Sequence, residues 1–365
     1  MEAPIFAEFL AGLVRSSWQE AVLAAVVWIL VLVLGDRIDA RWRCRLWLLV
    51  LLRLAWPFFL PSPISLFNWA GALVSVDTAG EAGVEDPEHP LPFVLEQGSI
   101  QWVWLAVVGI LLLRSMASVW NVHRLRQHAR EIMSTRAVEL LEGCRVSARV
   151  GCPVQLLESA RVPGPCLVGL LRPGIVIPVG MANDLTDEQL RFIFRHELAH
   201  LRRWDLPLNW LLAFVEAFHW FNPLVWWVAR QIRWDREEVC DRVAVDGRAE
   251  ACRPYGQLIV QMALRPVPGL EHEPAGVLSL LGVWDSREGS LCRRLRALGR
   301  LRRGGRSTWL GPSLWVGVVV AGFTDAIPQA TEEEHRPGQV RWDQLVPTQL
   351  VVQHQKPPEE SLRGL

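Results

Sequence analysis

Long apolar runs alternate with segments crowded with charge along this chain. Four apolar runs stand out, at residues 16–35, 42–60, 102–120 and 309–323. Crossing a bilayer core takes about 20 mostly apolar residues, at about 1.5 Å of helix rise each. The first run meets this outright. The second carries Arg53, the third carries Arg114 towards its end, and the fourth is short but dense in Val, Leu and Trp. The pattern predicts four transmembrane helices. A basic start and a small-residue cleavage site are missing ahead of the first run, so it reads as an anchor and not a signal peptide. A fifth run, residues 206–221, would reach only about 24 Å as a helix and contains Glu216. It is expected to be a buried or membrane-lying helix that does not cross.

The charges between the runs set an orientation. Arg37, Arg41, Arg43 and Arg45 join the first two runs, whereas residues 61–99 hold Asp77, Glu81, Glu85, Asp86, Glu88 and Glu96 and no basic residue. Arg124, Arg126 and Arg130 follow the third run, and Arg293, Arg294, Arg296, Arg300, Arg302, Arg303 and Arg306 precede the fourth. Basic loops stay in the cytoplasm. The expected layout has an outside N-terminus and a membrane region over 1–120. A cytoplasmic segment over 121–306, a last span over 307–325 and an outside tail over 326–365 complete it. The Arg293–Arg306 run is explained by anionic lipid beside a span, with nucleic acid as the alternative. Arg53 either snorkels or pairs inside the helix bundle, or lies on a signal or substrate path.

Composition narrows the class. Of 365 residues, 51% are hydrophobic and 21% charged, below the usual 25% or so, and 19 are Trp, which gathers at membrane boundaries. This much apolar surface must be buried, which excludes a disordered chain. The 38 basic and 38 acidic residues balance, so no direct nucleic-acid binding is expected. Seven Cys without a CxxC pair suggest neither a disulfide framework nor a Cys-rich zinc site, and all fall on the cytoplasmic side or its edge.

The candidate chemistry lies in Arg195-His196-Glu197-Leu198-Ala199-His200, which contains HExxH. Residues four apart share a helix face, so His196 and His200 can give two imidazole nitrogens to one zinc. Glu197 then stands beside a metal-bound water as general base. Thr186 and Gln189 make a capping box, Asp187 and Glu188 suit a first turn, and Leu190, Ile193 and Phe194 supply an apolar stripe. Downstream, Asn222-Pro223 is an N-cap with Pro at N1, starting a helix that runs past Glu237 and Asp241 to near Gly247. Glu237 would complete a His2Glu site, and Asp241 would orient a His ligand through its other ring N–H. The bland alternative is a surface ion-pair ladder of Arg233, Glu237 and Asp241. Short β-branched runs at 154–157, 166–170 and 175–177 predict a small sheet whose edge could hold an extended substrate. No oxyanion-stabilising group is assigned, since Tyr255, His219 and Arg233 are equal candidates.

These residues resemble the membrane-embedded zinc metallopeptidases of the BlaR/MecR, beta-lactam antirepressor, type. The resemblance covers about residues 10–325. It is carried by the Trp-rich second run ending in Leu-Ala-Trp-Pro, by Gly169-Leu170-Leu171-Arg172-Pro173 with Ile175-Val176-Ile177-Pro178, and by the HExxH segment through Leu201-Arg202-Arg203-Trp204-Asp205. Phe221-Asn222-Pro223-Leu224-Val225-Trp226 and Glu237-Glu238-Val239-Cys240-Asp241 complete it. It implies Zn2+ held by His196, His200 and Glu237, with Glu197 catalytic. The implied fold is mainly α: four transmembrane helices and a cytoplasmic α+β metalloprotease domain of the gluzincin type. Sensing members carry a large penicillin-binding domain after the last span. The residues after 325 have no SxxK nucleophile motif and are expected to be disordered, so sensing by acylation is not expected.

Three functions fit. The first is a plasma-membrane signalling protease acting on a cytoplasmic transcriptional repressor or on itself, with residues 286–306 as a reachable self-cleavage linker. The second is a quality-control protease like the HtpX group. The third is a catalytically silent membrane transducer.

Overall fold

A computed structural model describes residues 21–34, 37–55, 97–264, 287–302 and 310–322. Parts of the first two apolar runs, the acidic loop, residues 303–309 and the tail lie outside them. In chain order the elements are α1 (Ala21–Leu34), α2 (Ala40–Ala55), α3 (Gln97–His128), β1 (Arg130–Glu131), α4 (Thr135–Ser147), β2 (Gln155–Ser159), β3 (Cys166–Val168), β4 (Gly174–Pro178), α5 (Met181–Asp184), α6 (Asp187–Arg202), α7 (Asp205–Phe218), α8 (Pro223–Ala244), α9 (Cys252–Ala263), α10 (Arg287–Arg302) and α11 (Leu310–Gly322).

Among the described residues one helix is long and apolar enough to cross a membrane, Gln101–His128. α1 and the central part of α11 are apolar but shorter, so one span is carried by the structure where four were expected. The third run was expected to end at residue 120. The helix instead continues to His128, because nothing in Asn121–His128 breaks it.

Two cores meet along α8. α8 holds 22 residues, about 33 Å of helix. In its first half Val225, Val228, Ala229 and Ile232 pack with Leu23 and Val27 of α1, Trp47 and Val50 of α2, Leu212 and Val215 of α7 and Val318 of α11. At its far end Ala244 joins a second core, with Leu190, Phe194 and Leu198 of α6, Leu156, Ile175 and Ile177 of the sheet, and Tyr255 of α9. One helix therefore runs from an apolar bundle into an α+β layer.

The sheet has the order β1-β2-β4-β3, with β2 parallel to β4 and both outer strands antiparallel to their neighbours. Strand period explains its two faces. Ile175 and Ile177 face the α6 core, while Val176 turns to Leu157 and Val168 and to Val122 and Leu125 of α3. The expected runs at 154–157, 166–170 and 175–177 correspond to β2, β3 and β4, and β1 is an addition too short to show in the sequence. Gly169 sits at φ +84° in the β3–β4 turn, where a Cβ would lie 2.5 Å from the Arg172 carbonyl oxygen, so the turn needs glycine.

Two arginines have structural posts. Arg43, counted among the loop charges that set the orientation, is buried, with Nε and Nη2 each 3.2 Å from Asp235 Oδ1 and Nη2 2.5 Å from Glu238. Arg53 is fully buried, as expected of a residue inside the bundle.

Candidate metal centre

α6 begins with a complete capping box. The Gln189 N–H donates to Thr186 Oγ1 at 3.3 Å, and the Thr186 N–H donates to Gln189 Oε1 at 3.0 Å. With that start fixed, the Leu190, Phe194 and Leu198 face enters the core and the His196–His200 face turns to α8. α8 is set in register by Asn222, whose Oδ1 accepts from Leu224 N at 3.0 Å, with Pro223 at N1.

The two helices bring His196, His200 and Glu237 together. His196 Nε2 lies 3.5 Å from Glu237 Oε2, His200 Nε2 lies 3.5 Å from Glu237 Oε1, and the two Nε2 atoms are 3.2 Å apart. These three residues could hold a metal ion. Two Nε2 atoms and a carboxylate converging on one point suit a cation.

The far sides of both rings are held. His200 Nδ1 is 2.7 Å from Asp205 Oδ2, and His196 Nδ1 is 3.2 Å from Asp241 Oδ1 and 3.0 Å from the Tyr255 hydroxyl. Each Nδ1–H can donate outward, which leaves each Nε2 lone pair facing inward. Asp241 lies against the outer side of the His196 ring. Of the residues in the alternative surface ladder, Arg233 donates to Glu216 at 2.5 and 3.0 Å and Asp241 is buried.

Three contributors were not assigned from the sequence. Asp205 is placed by Trp204, whose φ of +59° reverses the chain between α6 and α7. The Asp205 carboxyl is also 3.3 Å from Arg236 Nε, and Arg236 Nη1 donates to Asn209. Burial raises that carboxyl, but His200 and Arg236 pull it net below its ordinary value. Tyr255, one of the oxyanion candidates, donates to Asp241 Oδ1 at 2.7 Å. Burial and the Asp241 charge hold its phenol well above the ordinary range, so it stays a neutral donor. Arg294 of α10 donates to Asp241 Oδ2 at 2.8 Å and Oδ1 at 2.6 Å. Burial raises the Asp241 carboxyl, yet Arg294 and His196 leave it below its ordinary value.

A second grouping, His200, Asp205 and Cys240, is also compact. It is the poorer site. Burial, with Glu237 and Asp205 nearby, pushes the Cys240 thiol far above its ordinary range, and a protonated thiol is a weak ligand. His200 Nδ1 is moreover already engaged by Asp205.

Glu197 is buried beside His196, and among the described residues nothing hydrogen-bonds its carboxylate. β3, the outer strand at the α6 side, brings Cys166 into electrostatic range of Glu197. Residues 287–302, expected within a linker, form a helix with Arg294 packed against the centre.

A model of the BlaR1 peptidase M56 family matches residues 11–276, more than half of the chain. The chain belongs to this family. The match stops short of residue 325, where the resemblance was expected to end. Regulatory protein BlaR1 of Bacillus licheniformis is 27% identical over 139 residues, 38% of this chain and 23% of that protein. The methicillin resistance mecR1 protein of Staphylococcus aureus is 31% identical over 113 residues, 30% of this chain and 19% of that protein. The aligned stretches thus span under a quarter of these curated relatives. The family is one of peptidases, and the grouped His and Glu side chains offer a donor set that could hold a metal ion.

Proposed function

We propose that this chain is an integral-membrane zinc endopeptidase of a signalling system, with His196, His200 and Glu237 as metal ligands and Glu197 as catalytic base. The observation that carries the reading is the convergence of two inward Nε2 atoms and the Glu237 carboxylate, with each imidazole backed by its own carboxylate. His2Glu with an open fourth position is a hydrolytic zinc arrangement. When bound there, zinc supplies polarisation of the scissile carbonyl and acidification of water. The remaining work falls to the chain. Glu197 takes the proton of the attacking water and returns it to the leaving amine. The β3 edge holds the substrate extended by strand addition.

The proposed layout keeps four spans, an outside N-terminus and a cytoplasmic peptidase region, on the strength of the arginine distribution and the long apolar helix α3. The substrate is a cytoplasmic protein such as a transcriptional repressor. The regulatory naming of the B. licheniformis relative supports a signalling role over general quality control. Cleavage within residues 287–302 would first require α10 to unwind, since peptidase sites bind extended chain, so a separate substrate is favoured over self-cleavage there.

Zinc content of the detergent-purified protein, wild type beside Glu237→Ala, tests the reading. About one zinc per wild-type chain, lost or weakened in the variant, is the expected result. A folded wild type that takes up no zinc would overturn the peptidase and favour a silent transducer.

A further inference from the structure

α10 lies beyond the stretch matched to the family, which ends at residue 276, yet it reaches the centre. Arg294 makes a two-pronged contact with Asp241, lies 3.4 Å from the Tyr255 hydroxyl and places Nη1 3.4 Å from Glu237 Oε2. Two more arginines of the same helix grip α8 on either side: Arg293 Nη2 is 2.7 Å from Asp235, and Arg300 Nη2 is 3.4 Å from Glu238. The exposed Arg296 makes no such contact. The basic run that reads in the sequence as a lipid-facing patch is therefore, in part, a row of anchors onto the helix that carries Glu237 and Asp241.

We infer that α10 is a working part of the metal centre, with Arg294 the positioning residue that holds Asp241 against His196. The inference rests on the zinc reading above. Asp241 is 1% exposed and cannot be solvated. Without Arg294, Asp241 Oδ2 loses its 2.8 Å donor and the carboxylate plane is no longer fixed against the His196 ring. Arg294 supplies the counter-charge, and its planar fork fixes both oxygens, which a point charge does not. Asp241 then holds the His196 tautomer that turns Nε2 inward. A lone arginine would oppose a dication. Paired with Asp241 it is neutral overall, so the geometry is what the centre loses when Arg294 is removed. The consequence is a linkage: if α10 docking strengthens zinc binding, zinc must strengthen α10 docking by the same factor.

Both directions can be read on the full-length protein in detergent, without an activity assay. Competition against a chromophoric zinc chelator should show Arg294→Ala binding zinc about ten- to a hundredfold more weakly than wild type, the usual cost of losing a partner that orients a ligand. Arg294→Lys should fall between, and Arg296→Ala should match wild type. In an Asp241→Asn background, Arg294→Ala should add little, whereas a purely structural role for Arg294 would add in full. Zinc should slow amide hydrogen exchange across α10 in wild type, a measurement that needs no variant to fold. Unchanged or tighter zinc affinity in folded Arg294→Ala, full additivity with Asp241→Asn, or exchange in α10 indifferent to zinc would each overturn the inference while leaving the zinc reading intact. A wild type that binds no zinc would instead remove the reading beneath it.

Discussion

Asp205 Oδ2 stands 2.7 Å from Nδ1 of His200, across the reversal at Arg203-Trp204 that separates their helices. The contact fixes the ring so that Nε2 faces His196 and Glu237. Asp205→Ala should therefore weaken zinc binding by about ten- to a hundredfold, measured by chelator competition. The folded-state carboxyl lies below its ordinary value of 3.8, so its contribution is complete above that pH and fades only as pH falls through the lower folded value. The loss should thus be the same at pH 6 and pH 8. Wild-type affinity in the variant would remove Asp205 from the centre.

Glu197 separates chemistry from metal binding. It neighbours His196 in sequence, while His196, His200 and Glu237 are the residues grouped around the metal position. Glu197→Gln keeps the volume and removes the base. Proteolysis should fall by about a hundred- to ten-thousandfold, the usual contribution of a general base, while zinc content stays at the wild-type level. Cleavage of an unstructured protein such as casein, followed beside metal analysis of the same sample, reads both. A variant that cleaves at the wild-type rate would show that another group takes the proton.

The sequence makes the inner ring of the site readable because helix spacing does the work. His196 and His200 are four apart on one helix, Glu237 and Asp241 four apart on another, and a capping box and an Asn-Pro start fix both helices locally. Asp205, Tyr255 and Arg294 lack such a signal, since each reaches the centre through tertiary packing. Arg294 is hidden further by its neighbours, because a run of arginines ahead of an apolar helix reads as a lipid-facing patch. Arg43 is obscured in the same way, counted as an orienting charge although Asp235 and Glu238 hold it inside. Periodicity also overstates what the spans show. An apolar run says that a helix is buried, and the packing of α1, α2 and α11 around α8 buries them partly in protein.

Asp235 is the keystone of that packing. It is wholly buried and takes hydrogen bonds from Arg43 of α2 and Arg293 of α10. Removing one partner of a buried ion pair strands the other charge, at a cost of about 3–5 kcal/mol. Asp235→Ala should lower the midpoint of thermal unfolding by roughly 10 °C, followed by tryptophan fluorescence in detergent. A shift within a degree or two of wild type would mean that water or detergent head groups reach Arg43 and Arg293 and replace the carboxylate.

Metal removal should be felt by the whole peptidase layer. Without a cation, Glu237 and Asp241 remain one turn apart on α8 with Arg294 as their shared counter-charge. A ligand that binds only the folded state stabilises it by about 4 kcal/mol at a thousand times its Kd. Stripping zinc with a chelator should therefore lower the unfolding midpoint by roughly 10 °C, and zinc alone should restore it. Glu237→Ala should unfold at nearly the same temperature with or without zinc, because its ligand set is incomplete. Glu197→Gln should keep the full zinc-dependent shift. If Glu237→Ala retained that shift, the ion would have to sit elsewhere, with His200, Asp205 and Cys240 as the group to test next.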